Sequence, residues 1–297
     1  MAAPEKTYDD AAIREDLADE IENISPIENW FLKNLKKTKA ESTTHVTLVE
    51  ELKTPATNAV VEGADTVFGD RTRPTRVDNL TQIVEIPFSV SDTERWVKHA
   101  GFEDRYAHEG DKAMKEWGND AELAIVRSVR QAGNASTARK MEGILEGIST
   151  NTIDGNDTDV YDEDMLNDLS ELAWWEGGHP KDLFVGPALK RVTSSFTEGD
   201  NQYDAKTGKK MNTVRTYEGD FEVIDVHLHR FIDDQNATSF KAALLEVDKW
   251  AIAYGEKPHE EELAKTGNST KGHVVGELTV ENRAENANAL AFDVLAA

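Results

Sequence analysis

The sequence predicts an α+β protein organised around one long helix, and three observations carry that expectation. A strand pattern over Asn79–Val90 turns through Ser91-Asp92-Thr93-Glu94 into a long proline-free run, ending near Ala132. That run keeps helical periodicity for about thirty-five residues. Alternating segments on either side of it, among them Thr43–Leu52, Phe221–Leu228 and His273–Asn282, read as strands. No solenoid-length repeat is visible, and no window of eighteen apolar residues suggests a membrane helix. A helix of about thirty residues would span about 45 Å, longer than an ordinary domain is wide. It therefore reads as a structural spine.

At 297 residues the chain holds one large domain or two modest ones. Hydrophobic residues make up 38% and charged residues 30%, which describes a soluble chain that is not rich in core. The absence of cysteine excludes disulfides, thiolate nucleophiles and cysteine metal sites. The net charge of −24, from 57 acids and 33 bases, opposes gripping nucleic acid by its phosphates. It fits a solubilised surface, or one that faces packed polyanion without adhering to it. The start, Met1-Ala2-Ala3-Pro4-Glu5-Lys6, carries no signal-peptide pattern.

Taken in order, residues 1–41 resemble an arm. Asp9–Asn23 is amphipathic, with Ile13, Leu17, Ile21 and Ile24 at helical spacing. Ser25-Pro26 stops it, and Trp30-Phe31-Leu32 leads into a lysine cluster. Such a short apolar stripe must bury itself on its own domain or on a neighbouring subunit. Residues 42–90 read as a long β excursion with little core of its own. Thr43–Leu52 alternates, Asn58–Phe68 is extended around a turn at Glu62-Gly63-Ala64-Asp65, and a basic turn with Arg71, Arg73 and Arg76 precedes the Asn79–Val90 strand. An isolated hairpin is marginal in water, so this excursion must lie on something else.

Along Glu94–Ala132 the apolar stripe comprises Trp96, Tyr106, Ala113, Trp117, Ala121, Ala124 and Ile125, and Glu122 falls among the polar residues of the rest. Gly101, Gly110 and Gly118 each cost about 1 kcal/mol against Ala, which predicts a bend near them. Downstream, Arg139–Ile148 and Ala188–Phe196 read as short helices, Tyr161–Trp175 as an amphipathic helix and Leu183–Val185 as a buried strand. Ser149–Asp159 and Glu198–Val214 read as polar loops. Ser239–Glu246 and Lys249–Tyr254 read as strands, Glu256–Lys265 as a charged excursion and Asn288–Leu295 as a last strand.

No catalytic constellation stands out. His227-x-His229 places two imidazoles together, but zinc needs four ligands and no third is suggested nearby. His259-Glu260-Glu261-Glu262-Leu263 is not H-E-x-x-H, and phosphate-binding glycine loops and a G-x-S-x-G elbow are missing. Arg71, Arg73 and Arg76 fit either phosphate or an acidic neighbouring subunit, and the second suits an acidic chain better. Trp174-Trp175 reads as core or interface. A structural protein is favoured over an enzyme, and no cofactor or metal is expected.

An ordered series of motifs then resembles the major capsid proteins of a tailed-bacteriophage family. It runs through Asp16-Leu17-Ala18-Asp19-Glu20-Ile21, Ile24-Ser25-Pro26-Ile27-Glu28, Glu50-Glu51-Leu52, Asn79-Leu80-Thr81-Gln82-Ile83 and Val90-Ser91-Asp92-Thr93. It continues through Val185-Gly186-Pro187-Ala188-Leu189-Lys190, Tyr217-Glu218-Gly219-Asp220-Phe221 and Gly276-Glu277-Leu278-Thr279-Val280-Glu281-Asn282. The resemblance implies a Hong Kong 97-like major capsid fold and a non-enzymatic protein of the virion capsid, assembled in the host cytoplasm. It implies an N-terminal arm (1–41), an extended β loop (42–90), a peripheral domain with the spine helix (91–135), an axial domain (136–255) and returning peripheral strands (256–297). It also implies a homo-oligomer of hexamers and pentamers in a shell, with scaffolding, portal and decoration proteins as further partners. DNA would be enclosed without specific binding, and no membrane is involved. The subunit-interface candidates are Trp30, Phe31, Leu48, Leu52, Phe68, Arg71, Arg73 and Arg76. The rivals are an encapsulin-like nanocompartment shell and an α/β enzyme with a mobile lid at Glu198–Val214.

Overall fold

The computed structural model describes residues 29–98, 104–196 and 216–296. The expected arm helix Asp9–Asn23, Gly101 and the Glu198–Val214 loop lie outside these residues. Two large sheets, a separate two-stranded sheet and two cores organise the described residues. The first sheet has the order β1-β10-β11-β4, built from β1 (Lys36–Lys39), β4 (Gln82–Ser91), β10 (Trp250–Leu263) and β11 (Ser269–Asn282). Helix α3 (Arg105–Arg127) packs on it through Ala113, Trp117, Ala121 and Ile125, against Val84, Val274, Leu278 and Val280. Trp117 Nε1 also donates to Val84 O at 2.9 Å.

The second sheet has the order β5-β12-β9-β6-β8-β7. Its strands are β5 (Thr152–Asp154), β6 (Asp182–Val185), β7 (Thr216–Glu218), β8 (Val223–Leu228), β9 (Phe240–Leu245) and β12 (Ala289–Val294). Helices α4 (Glu163–Trp175) and α5 (Pro187–Ser195) cover it with Leu166, Leu169, Ala173, Leu189 and Val192. Asp162 caps α4 by accepting from Met165 N at 2.9 Å, which satisfies one of the free amides of the first turn.

Several expectations are corrected. The Asn79–Val90 strand is two strands that part at Thr81: β3 (Thr75–Leu80) pairs with β2 (Thr44–Val49), while β4 pairs with β11. Pro87 is tolerated because β4 is an edge strand. The Glu94–Ala132 run is interrupted before Asp104, as the expected bend requires. A short α2 (Asp92–Trp96) ends at Val97 in extended backbone, and α3 starts afresh after the Asp104 cap, whose carboxylate accepts from Tyr106 N at 2.9 Å. Gly110 and Gly118 carry no break. Each makes room for a neighbour: a Cβ there would come within 2.8 Å of the Glu260 carboxylate or of the Asn29 amide.

Helix α3 ends at Arg127 because another segment supplies the amides its last carbonyls need. Ile144 N donates to Ile125 O at 2.7 Å and Leu145 N to Val126 O at 3.1 Å. Residues 139–148, expected to be helical, spend their amides on this contact and form a turn instead. A Cβ on Gly143 would sit 2.8 Å from Ser128 N and 3.0 Å from Ile125 O, both backbone atoms. Gly143→Ala is therefore expected to cost about 1–3 kcal/mol through overpacking. Urea unfolding checks it, and a change below a few tenths of a kcal/mol would refute it.

The polar stretch Ser149–Asp159 contains β5, and the charged stretch Glu256–Lys265 is mostly the outer half of β10, paired to β11 across irregularities near Glu256. The last strand, expected beside the strands at 256–282, lies in the other sheet between β5 and β9, and Trp250–Gly255 belongs to the first sheet. No helix among the described residues is long and apolar enough to cross a membrane.

Candidate subunit interface

Strands β2 and β3 pair antiparallel, from Thr44 opposite Leu80 to Val49 opposite Thr75, and residues 50–74 continue beyond them. Every residue from 50 to 77 is exposed. Leu52 is 94% exposed, and Val67 and Phe68 are 91% each. Burying a large apolar side chain stabilises by about 1.5–3 kcal/mol, and this segment forgoes that gain several times over within its own chain. Exposed apolar side chains gathered on one segment make it the candidate interaction surface. Arg71, Arg73 and Arg76 stand on the same segment with no ion-pair partner among the described residues. Gly63, at φ +80°, supplies the one tight turn, closed by Ala64 N donating to Val61 O at 3.0 Å.

The base of this excursion is held firmly. Asn79 Nδ2 donates to Val280 O at 2.8 Å and Glu142 O at 2.9 Å, and its Oδ1 accepts from Glu142 N at 2.8 Å. The Arg139 guanidinium donates to Thr81 O and to Glu277 Oε1, and the Thr81 hydroxyl donates to the same carboxylate. Glu281 accepts from Thr38 Oγ1 at 2.9 Å and from Arg283 Nε at 2.9 Å, and lies 3.3 Å from His45 Nε2. Burial works to raise the Glu281 carboxyl, but the bonds from Arg283 and Thr38 outweigh it and hold it below the usual range. Burial raises the Glu142 carboxyl against the pull of Arg130. A groove of about 210 Å³ runs beside this latch, lined by His45, Asn79, Glu142, Trp250 and Glu281 among others. The geometry is a fixed base carrying an uncovered tip.

The interface candidates divide accordingly. Leu48, Leu52, Phe68, Arg71, Arg73 and Arg76 lie exposed on the excursion. Phe31 has no exposed surface, and Trp30 is half-buried with its ring 4.7 Å from that of Phe184. The Phe31 side chain is thus packed in the core of its own chain.

Helix α1 (Trp30–Asn34) is instead fixed to the spine by Glu122, which is fully buried although its residue type sets it among the polar positions of the helix. Its carboxylate accepts from Phe31 N at 2.7 Å and Leu32 N at 2.9 Å, and pairs with His229 Nε2 at 3.0 Å. The available signal was position: Glu122 lies between Ala121 and Ile125 on the apolar stripe. His227 pairs with Asp182 at 2.8 Å, so the two histidines have separate carboxylate partners. No cluster of three potential metal ligands occurs among the described residues.

One further acid reports on the other end of α3. Asp233 Oδ1 accepts from Lys241 N at 2.8 Å, while Oδ2 is buried without a hydrogen-bond partner among the described residues. Burial pushes this carboxyl up to about 6. An acid whose folded pKa lies above its unfolded value binds more protons when folded, so its contribution to stability falls as pH rises from about 4 to about 6. Asp233→Asn keeps the acceptor for Lys241 N. It is expected to raise the melting temperature at pH 7.5 and to leave it nearly unchanged at pH 4. An equal effect at both values would refute the assignment.

Comparison with known proteins agrees with this architecture. A model of the family described as SU10 major capsid protein matches residues 4–294. No curated protein gives a significant match to the sequence. Among solved structures, a chain of the cyanophage A-1(L) capsid is similar with TM-score 0.69 at 11% identity, covering 95% of this chain and 97% of that one. A chain from Gordonia phage Cozz gives 0.63 at 15% identity, covering 96% and 92%. The SrpI encapsulin from Synechococcus elongatus PCC 7942 gives 0.61 at 13% identity, covering 100% and 97%. The fold is the Hong Kong 97-like capsid fold, which encapsulin shares. Similarity of fold does not separate capsid from nanocompartment; the family model does. With its match spanning nearly the whole sequence, the chain belongs to the SU10 major capsid protein family, whose members form the virion capsid.

Proposed function

We propose that this capsid protein assembles through hexamers and pentamers into an icosahedral shell around the double-stranded DNA of a tailed bacteriophage, each copy laying residues 50–74 on a neighbour. The observation that carries this reading is the uncovered apolar and basic segment on a latched base. The work is assembly, not catalysis. Each contact can be weak, because repetition over a shell multiplies its effect. The net charge of −24 suits a wall that confines DNA without gripping it.

In this reading residues 1–41 are the arm and 42–90 the extended loop, though β4 itself is paired into the first sheet. The α3 sheet is the peripheral domain and the six-stranded sheet the axial domain, with β12 reassigned to the latter. Scaffolding, portal and decoration proteins are the further partners. Size-exclusion chromatography with electron microscopy tests the proposal: capsomers and closed shells are expected. A chain that stays monomeric or dimeric across conditions, even beside scaffolding protein, would overturn it. The encapsulin reading is supported by fold likeness alone. Neighbouring portal and terminase genes, against a cargo enzyme gene, separate the two.

A further inference from the structure

The second core carries a surface that its own packing leaves unused. Helix α4 buries Leu166, Leu169 and Ala173 and then turns its last residues outward. Trp174 is 46% exposed, Trp175 71% and Phe221, on the β7–β8 turn, 37%. The Trp174 ring lies 5.2 Å from that of Trp175 and 6.3 Å from that of Phe221, so the three form one aromatic surface. Exposed acids adjoin these rings in the chain: Glu171, which accepts from Trp175 Nε1 at 3.0 Å, Glu176 next to Trp175, and Asp220 next to Phe221, while Glu222 is partly buried and pairs with His179.

Resting on the shell reading above, we propose that this acid-rimmed aromatic surface receives the Val67–Arg76 stretch of a neighbouring copy. Charge selects the occupant. Two copies of the aromatic surface face to face would set acid against acid, which disfavours a symmetric pair. The excursion has the complementary chemistry: Val67 and Phe68 fully in water, then Arg71, Arg73 and Arg76 with no ion-pair partner among the described residues. Guanidinium groups stack on indole faces and pair with carboxylates at once, so a tip of this composition is matched by rings inside an acidic rim. The stretch has its own reach: Val67 lies eight residues before the start of β3 at Thr75, so it stands up to about 27 Å from the latched strands, while Arg76 stays on β3 itself. A contact of tip on body is heterologous, and heterologous contacts that close generate rings.

The test exploits a chain without cysteine. Asp70→Cys and Glu176→Cys are placed in separate chains, both at exposed positions that leave the three rings intact. The two are co-assembled and treated with a short bismaleimide. Cross-linked dimers are expected in shells made from the mixture and in neither single variant. Adding Arg71→Glu and Arg73→Glu to the first chain is expected to slow cross-linking at least roughly tenfold. Shells that form without cross-links, or dimers from Asp70→Cys alone, which would mean tip-on-tip contact, overturn the inference while the capsid reading stands. If unsubstituted protein forms no shells, both fall together.

Discussion

Joining Val49 to Thr75 through an Asn-Gly turn in place of residues 50–74 leaves a folded protein that no longer forms shells. The two cut points are a paired position at the end of β2–β3, so a two-residue hairpin turn closes them without changing register. The removed residues are all exposed and lie outside both cores, so the fold loses no burial. Shortening a loop reduces the closure entropy slightly, so stability is expected within about 0.5 kcal/mol of the parent or above it. Assembly loses several large apolar side chains and two of the three arginines, and every subunit contact in a shell suffers the same loss. Loss of even about 1.4 kcal/mol per contact weakens each one tenfold. Thermal melting and electron microscopy read the two effects separately. Shells at parental yield from the shortened chain would remove the excursion from the assembly mechanism.

What was legible in the sequence was whatever repeats at a fixed period. The α4 helix, the β6 and β8 strands and β11 follow from periods of 3.6 and 2, because each buries one face or lies wholly in a core. The exposure of the excursion was also legible, since its pattern has too few apolar residues to make a core. What was not legible is set by partners far away in the chain. The break at Thr81 depends on Arg139 and Glu277. The turn at 144–147 depends on carbonyls at 125 and 126. The acidic half of β10 is a strand because β11 supplies its backbone partners, which side-chain composition does not record. Lysine-rich β1 was hidden for the reason edge strands carry lysine at all.

Glu122→Ala is the substitution with the largest expected effect on the fold. It deletes one side chain and strands three groups: the buried Phe31 amide and His229 ring nitrogen and the partly buried Leu32 amide. Removing one partner from a buried polar network costs about 3–5 kcal/mol, because what remains can reach neither water nor a substitute. That is a large share of the roughly 5–15 kcal/mol that stabilises a domain. Glu122→Gln retains one oxygen acceptor but turns an N–H₂ toward donors, so an intermediate loss is expected. The damage should begin at α1, since Glu122 supplies the acceptors for its first turn while Phe31 sits between Glu122 and Phe184. Limited trypsin digestion should therefore open Lys33 and Lys36 before the second core unfolds. Urea unfolding gives the magnitude. A loss under about 1 kcal/mol would mean that water replaces the carboxylate at this site, and that α1 is held by its aromatic packing alone.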